Sequence, residues 1–358
     1  MLTGLCFLPM RYIKKWSFEN TWFAWCLLSL VILPPLIAWA FIPQLMTIYD
    51  RVGQHLVLLV LGSGLLAGMS GFLYGLGIAR IGLAAANALS NGISLVLGSF
   101  IPLVSQRPEV LRTTMGAALL GGILLALVGV VISAIASHFK GAVSVREPAR
   151  ASGEATHASG SSQSAFWGIV VSVSAGLLFP VQNLGIAFAD DFMKVARSLG
   201  STEVLMTHAF YVPYFSTSFI SNGIYSVIMW RRRGSLGEWR IAETYTYLWL
   251  ILIMAVAWTL ASLTYGWAMP FMGGYGPIIS WPVSLAVCNI AAALAEYLYG
   301  DWQGRALRVL LWGLLFLTLS ISIFGVCNAY FQENTHEGRL SMEPGQIDKH
   351  NSSPSYRL

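Results

Sequence analysis

The sequence predicts an all-α membrane protein, a polytopic helical bundle, on three observations. Nine apolar runs of about 20 residues or more fill most of the 358 residues, charge is almost confined to the gaps between them, and the runs are continuous rather than alternating. A hydrocarbon core of roughly 30 Å is crossed by about 20 residues rising 1.5 Å each. Only helices or closed barrels satisfy every backbone group in lipid, and continuous runs exclude the barrel's alternation. The composition agrees, with 56% apolar and 10% charged residues.

In chain order the spans read approximately Thr21–Pro43, His55–Ala79, Ile81–Val104, Met115–Ser137, Phe166–Phe188, Leu205–Trp230, Thr246–Ala268, Gly276–Tyr299 and Leu307–Phe331. A shorter apolar piece, Met1–Met10, runs straight into Arg11, Lys14 and Lys15. It reads as the end of a helix whose beginning lies upstream of Met1, and restoring it would give ten spans, five on each side of a linker. That linker is 138–164, rich in Ser, Ala and Gly and expected to be flexible. The organisation is therefore a first membrane half at 1–137, the linker, a second membrane half at 165–331, and a polar, disordered tail at 332–358.

The net charge of +5 does not point to nucleic acid, because the basic residues sit at span ends, where they anchor and orient helices. One alternating set of connectors (11–20, Arg80, 138–164, 231–245 and 300–308) holds 13 Lys and Arg; the other holds 5, with 3 more in the tail. The positive-inside rule then puts the first set, linker included, in the cytoplasm and the C-terminal tail outside. Arg231, Arg232 and Arg233 form the strongest single anchor. The four cysteines, Cys6, Cys26, Cys288 and Cys327, lie in or beside apolar runs without short spacings, which argues against a disulfide framework and against zinc. No cleavable signal peptide is visible, and the first full span serves as the insertion signal.

The halves echo each other once. Tyr74-Gly75, Gly82 and Ser90-Asn91-Gly92-Ile93-Ser94-Leu95 match Tyr265-Gly266, Gly273 and Ser280-Trp281-Pro282-Val283-Ser284-Leu285. In a ten-span count these are helices three and four against eight and nine. Five spans per half is odd, so the second half would insert upside down. Two inverted five-helix repeats of this kind are found in secondary transporters, with the substrate site between them.

Several stretches resemble the bacterial L-rhamnose–proton symporter family of the drug/metabolite transporter superfamily. They are Lys14-Lys15-Trp16-Ser17-Phe18-Glu19 followed by Trp22 and Ile32-Leu33-Pro34; Tyr74-Gly75-Leu76 with Arg80 and Gly82; and Ile279-Ser280-Trp281 preceded by Tyr265 and Trp267. Asn183 and Asn222 fall where the family has asparagines in its sixth and seventh helices. The similarity extends to about Phe331. Pro282 departs from the pattern and bears on the identity of the sugar. The resemblance implies a proton-coupled carrier in the bacterial inner membrane that takes up a monosaccharide, L-rhamnose, by alternating access. It needs no cofactor beyond the proton gradient, and its partners are the sugar, H+ and the bilayer. A homodimer stays open.

A sugar site needs hydrogen-bonding side chains for hydroxyls and an aromatic face for the apolar side of the ring. Polar groups inside spans are the default candidates, which gives Asn87, Asn91, Gln182, Asn183, Asn222, Ser280 and Trp281. Asn87 and Asn91 share a helical face with Ser94, and Gln182-Asn183 follow Pro180, which frees backbone groups. All could equally hydrogen-bond between packed helices. Tyr74 and Tyr265, near span ends, read as members of an interfacial belt. For proton coupling the candidates are Glu296, the one acidic residue within a span's apolar body, and His208. The glycines at 62, 64, 68, 71, 75 and 77 form a stripe suited to close helix approach. No P-loop, paired-histidine motif or G-x-S-x-G is present, which excludes direct ATP drive and disfavours an enzyme. The alternatives are a permease of the same superfamily for another small metabolite, or a non-transporting receptor, for which the tail is too short and polar.

Overall fold

The computed structural model describes residues 2–81, 83–144, 162–186, 189–202, 205–272 and 275–340; within them the side chains at 78, 79, 83–85, 87, 138, 140–144, 162–165, 186, 270 and 334–340 lie outside the description. Every regular element among these residues is helical. The chain enters through one turn, α1 (Leu2–Leu5), and a 3-10 turn at Leu8–Tyr12 that carries Pro9, both packed on α12 (Thr244–Phe271) and α1 also on α13 (Gly276–Leu298). α2 (Phe18–Cys26) and α3 (Leu33–Phe41) make one span, joined by a π-helical stretch, Leu27–Ile32, ahead of Pro34 and Pro35. A proline cannot donate to the carbonyl four residues back, and the wider π-turn absorbs the missing bonds. α4 (Leu45–Val52) is short; α5 (Gln54–Ile81), α6 (Leu83–Gln106) and α7 (Thr114–Ser144) are long.

The second half opens with α8 (Ser162–Leu178), broken at Phe179 before α9 (Pro180–Ile186), and continues through the amphipathic α10 (Ala189–Ser198), α11 (His208–Arg233), α12, α13 and α14 (Gly304–Leu340). Two expected boundaries move. α7 and α8 take the ends of the expected linker, and the rest of it, 145–161, lies outside the described residues. α14 continues nine residues into the expected tail, where Gln332 donates to the carbonyl of Phe271 at 2.6 Å; residues 341–358 lie outside the description.

Among the described residues, eight helical stretches are long and apolar enough to cross a membrane. α11, the sixth of the nine expected spans, has the length but not the apolarity. Its polarity points inward. Ser218 donates to the carbonyl of Gly64 at 2.8 Å and Ser221 to that of Leu65 at 3.0 Å, while Ile220 and Ile224 are about half exposed on the outer face. A side chain at Gly64 or Gly68 would collide with the backbone of Tyr214 or Ser218, so the α5 stripe does what its spacing suggests at these two positions. Around this pair α5 also packs on α8, α6 on α7, α8 and α13, and α7 on α14.

At one end of the bundle the connector 11–20 is bound to the connector 234–243. Asn20, fully buried, donates to the carbonyl of Ser235 (2.9 Å) and to Glu238 Oε2 (2.8 Å), and its own oxygen accepts the indole N–H groups of Trp230 (2.6 Å) and Trp239 (2.7 Å). The Ser17 hydroxyl and N–H donate to Glu238, and Trp16 donates to the carbonyl of Glu238 at 2.8 Å. Glu19, also fully buried, accepts from the Ser235 hydroxyl at 2.6 Å and pairs with Arg233 at 3.4 Å; Lys15 pairs with Glu243. Partial burial pushes the Glu238 carboxyl up, but the hydrogen bonds from Ser17 and Asn20 outweigh it and hold it below the usual carboxylate range. At the other end α4 packs on α10 through apolar groups: Ile48 and Phe192 are fully buried, and the Tyr49 and Phe192 rings are 6.2 Å apart.

Replacing Asn20 by Ala leaves the indole N–H groups of two half-buried tryptophans without an acceptor. The expected loss is on the order of 3 kcal/mol, read as a lowered thermal midpoint of the detergent-solubilised protein.

Candidate functional site

Between the halves lies a cavity of about 350 Å³, lined by α1, α5, α6, the α8–α9 break, α11, α12 and α13. The break aims it. Pro180 cannot donate to the carbonyl of Gly176, the helix stops at Leu178, and Phe179 and Gln182 turn into the cavity from either side of the interruption. Of the residues expected to form a site, Asn91, Gln182 and Trp281 line this cavity. The Gln182 amide has no hydrogen-bond partner among the described residues. The Trp281 indole donates to the carbonyl of Ser94 at 3.0 Å and lies against Gly98, where a Cβ would overlap its ring. A second lobe of about 190 Å³ adjoins the first, sharing Phe7, Tyr74, Phe179, Gln182 and Trp258 with it, and Asn222 lines that lobe.

Asn183 is elsewhere. It is fully buried, donates to the carbonyls of Gly98 and Pro277 (both 2.8 Å) and accepts the Tyr265 hydroxyl at 2.9 Å. That hydroxyl has spent its one proton, so Ser280 donates in the 3.0 Å contact between them. Asn183, Tyr265 and Ser280 thus tie α9, α6, α12 and α13 together beside the cavity. Ser280 borders an adjoining groove between α12 and α13 that shares Thr3, Ala261, Tyr265 and Ser284 with the cavity. Asn87 stands one turn before Asn91 on α6, and its side chain lies outside the described residues.

The interfacial-belt reading of Tyr74 and Tyr265 is corrected: both line the cavity. Residues not singled out from the sequence also line it: Tyr211, Trp258, Ser284 and Asn289. The signal for Trp258 was present, since it stands in the middle of its span, far from where a belt tryptophan sits. The unpartnered indole N–H of Trp258 and hydroxyl of Ser94 lie at the cavity's edge.

Among the described residues, no Asp, Glu, Lys, Arg or His lines either lobe. The titratable candidates flank the cavity. Glu296 borders a vestibule of about 380 Å³ with Arg11 and Asp301, and that vestibule shares Gly4, Phe7 and Ala292 with the cavity. His208, buried at the start of α11 with Nδ1 unpartnered, meets the Tyr211 ring edge-on at 5.6 Å. Among the described residues no cluster of three His, Cys, Asp or Glu could hold a metal ion. Amides, hydroxyls and indole faces without a charged side chain among the described lining residues can accommodate a neutral, hydroxylated solute.

Comparison with known proteins agrees in one direction. Residues 2–330 match the profile of a family described as L-rhamnose-proton symport protein. The chain is 24% identical over 339 residues to an L-rhamnose-proton symporter of Yersinia pestis (strain Pestoides F), covering 90% of this chain and 94% of the relative. It is 23% identical over 340 residues to one of Pectobacterium atrosepticum, with the same coverage.

The two neighbouring amides should separate cleanly. Asn183→Ala strands the Tyr265 hydroxyl and two carbonyls and should cost about 2–3 kcal/mol. Gln182→Ala removes an amide with no partner among the described residues and should stay within about 0.5 kcal/mol. Thermal unfolding of the two variants in detergent checks both.

Proposed function

From the premise that the chain belongs to the L-rhamnose–proton symport family, we propose that it takes up a neutral monosaccharide, L-rhamnose, together with a proton, and that the central cavity holds the sugar. The observation that carries the reading is the charge-free lining of amide, hydroxyl and indole groups at the meeting of the two halves. In it Asn91, Gln182, Ser284 and Asn289 would bond ring hydroxyls, and Trp281 or Trp258 would face the apolar side of the ring.

Transport by alternating access needs two halves that rock about the site. The neighbour pattern supports inverted halves. Exchanging the first five spans for the second five turns α5 against α8 and α11 into α12 against α1 and α2, α6 against α8 into α13 against α1, and α6 against α7 into α13 against α14; all of these pairs are in contact. The pairs α2 with α11, α6 with α13 and α7 with α14 map onto themselves. The alternating basic connectors support an orientation in a bacterial inner membrane with the 11–20 and 231–245 end and the linker in the cytoplasm and the C-terminal tail outside.

For the proton, Glu296 at the cytoplasmic vestibule and His208 near the opposite end bracket the cavity, so a proton can be taken and released without a charge beside the sugar. The test is uptake of radiolabelled L-rhamnose by cells lacking their own carrier, with and without an uncoupler. Accumulation abolished by the uncoupler is the expected result; its absence from well-expressed protein overturns the reading. Glu296→Gln should keep exchange of sugar across the membrane and lose accumulation against a gradient, and unchanged accumulation would remove Glu296 from the coupling step.

A further inference from the structure

The two lobes of the cavity differ in what they can offer a sugar. In the larger one Gln182 and Ser284 have no hydrogen-bond partner within the described protein, so they are available to ring hydroxyls. The smaller one is walled by Phe7, Trp22, Trp25, Phe215 and Trp258, with Phe7–Trp25 and Trp22–Trp25 ring centroids both 4.9 Å apart and Trp25–Trp258 at 5.4 Å. Gln182 stands at its border with the larger lobe; the polar side chains deeper in it, Ser70, Ser218 and Asn222, are bonded within the protein. Ser70 donates to the carbonyl of Ala67 and Ser218 to that of Gly64; Asn222 donates to the carbonyl of Ser218 at 2.8 Å and accepts the Trp22 indole N–H at 2.9 Å. The unpartnered Trp25 and Trp258 N–H groups and Tyr214 hydroxyl are sealed from the open space. A hydroxyl entering this lobe gives up its water for a wall made mostly of ring faces, whereas a methyl group gains contact with them.

We infer that the aromatic lobe is the specificity element for the exocyclic methyl group of a 6-deoxyhexose. It takes the methyl carbon while the polar lobe takes the ring hydroxyls, and it disfavours the otherwise identical sugar that carries a hydroxyl on that carbon. This rests on the sugar reading above and adds the residues that would make it selective. Gly71 of α5 is the point at which the lobe can be filled with least disturbance: a Cβ there would lie 3.3 Å from Asn222 Oδ1 and 3.6 Å from the Trp22 ring.

The test compares three probes in the same uptake assay: L-rhamnose, its 6-hydroxy counterpart L-mannose, and L-lyxose, which has the same ring without the sixth carbon. The wild-type protein should show a KM for L-mannose about ten- to a hundredfold above that for L-rhamnose, the range an apolar pocket achieves against an added hydroxyl. In Gly71→Ala the L-rhamnose preference over L-lyxose should collapse towards unity, because the methyl no longer has its space. Ala67→Val fills the same lobe from one turn earlier on α5 and serves if the first variant does not fold. Equal KM values for L-mannose and L-rhamnose, or a rhamnose-to-lyxose ratio unmoved in a filled variant that still transports, overturn the inference and leave the sugar reading standing. Failure of the wild type to accumulate any of the three overturns the sugar reading and this inference with it.

Discussion

Asn20 is the point at which two distant parts of the chain become one structure. Its side chain bonds four groups at residues 230–239, more than 200 positions away, and it is sealed from water. Leaving any one of those groups unpaired would carry the full desolvation cost, so the connector 11–20 is fixed against 234–243, and with it the start of α2 against the end of α11. The α5–α11 contact, the placement of Trp22 and Trp25, and hence one wall of the cavity follow from that anchorage. The Lys-Lys-Trp-Ser-Phe-Glu stretch that first suggested a family is this clasp. None of its residues lines the cavity, and it reaches the lining only where Phe18 stacks on Trp22 at 5.3 Å, so its information is mainly architectural.

Exchanging the halves sends the 11–20/234–243 contact to the α10/α4 contact at the opposite end. The two contacts occupy equivalent places and use opposite chemistry. One is a web of charge-assisted and indole hydrogen bonds around Glu19, Asn20 and Glu238; the other is packing of Ile48, Tyr49 and Phe192. Opening the first trades protein hydrogen bonds for water, while opening the second exposes apolar surface, whose cost grows on warming from the cold. Temperature therefore weighs the two ends differently, an asymmetry that a purely symmetric repeat would lack.

The spans were legible because lipid leaves the chain so few options: length and apolarity alone locate eight of them. α11 shows where that signal thins, since Ser218 and Ser221 reach the carbonyls of Gly64 and Leu65 only once α5 has come within glycine distance. Linker and tail boundaries were drawn from composition, and helices continued past them because propagation costs little once a long helix exists. The site was half legible. Intramembrane polarity found Asn91, Gln182 and Asn222, but it cannot tell a side chain aimed at a cavity from one aimed at a neighbour's backbone. Gln182 and Asn183 are adjacent, similar and equally costly in lipid; one faces the space and the other pins four helices. That difference lies in a single 100° step around α9. Tyr74 and Tyr265 were misread for the related reason that a span's end can face inward as well as outward.

The charge-free lining has an electrical consequence. A cavity without a fixed counter-ion suits an uncharged solute, and a carrier that moves an uncharged solute with protons moves net charge only through the protons. Each turnover is then electrogenic. A membrane potential of 100 mV contributes about 2.3 kcal/mol for every proton admitted, equivalent to roughly a fiftyfold concentration ratio of solute. The voltage across the membrane, and not the pH difference alone, sets how far such a cavity can concentrate what it binds.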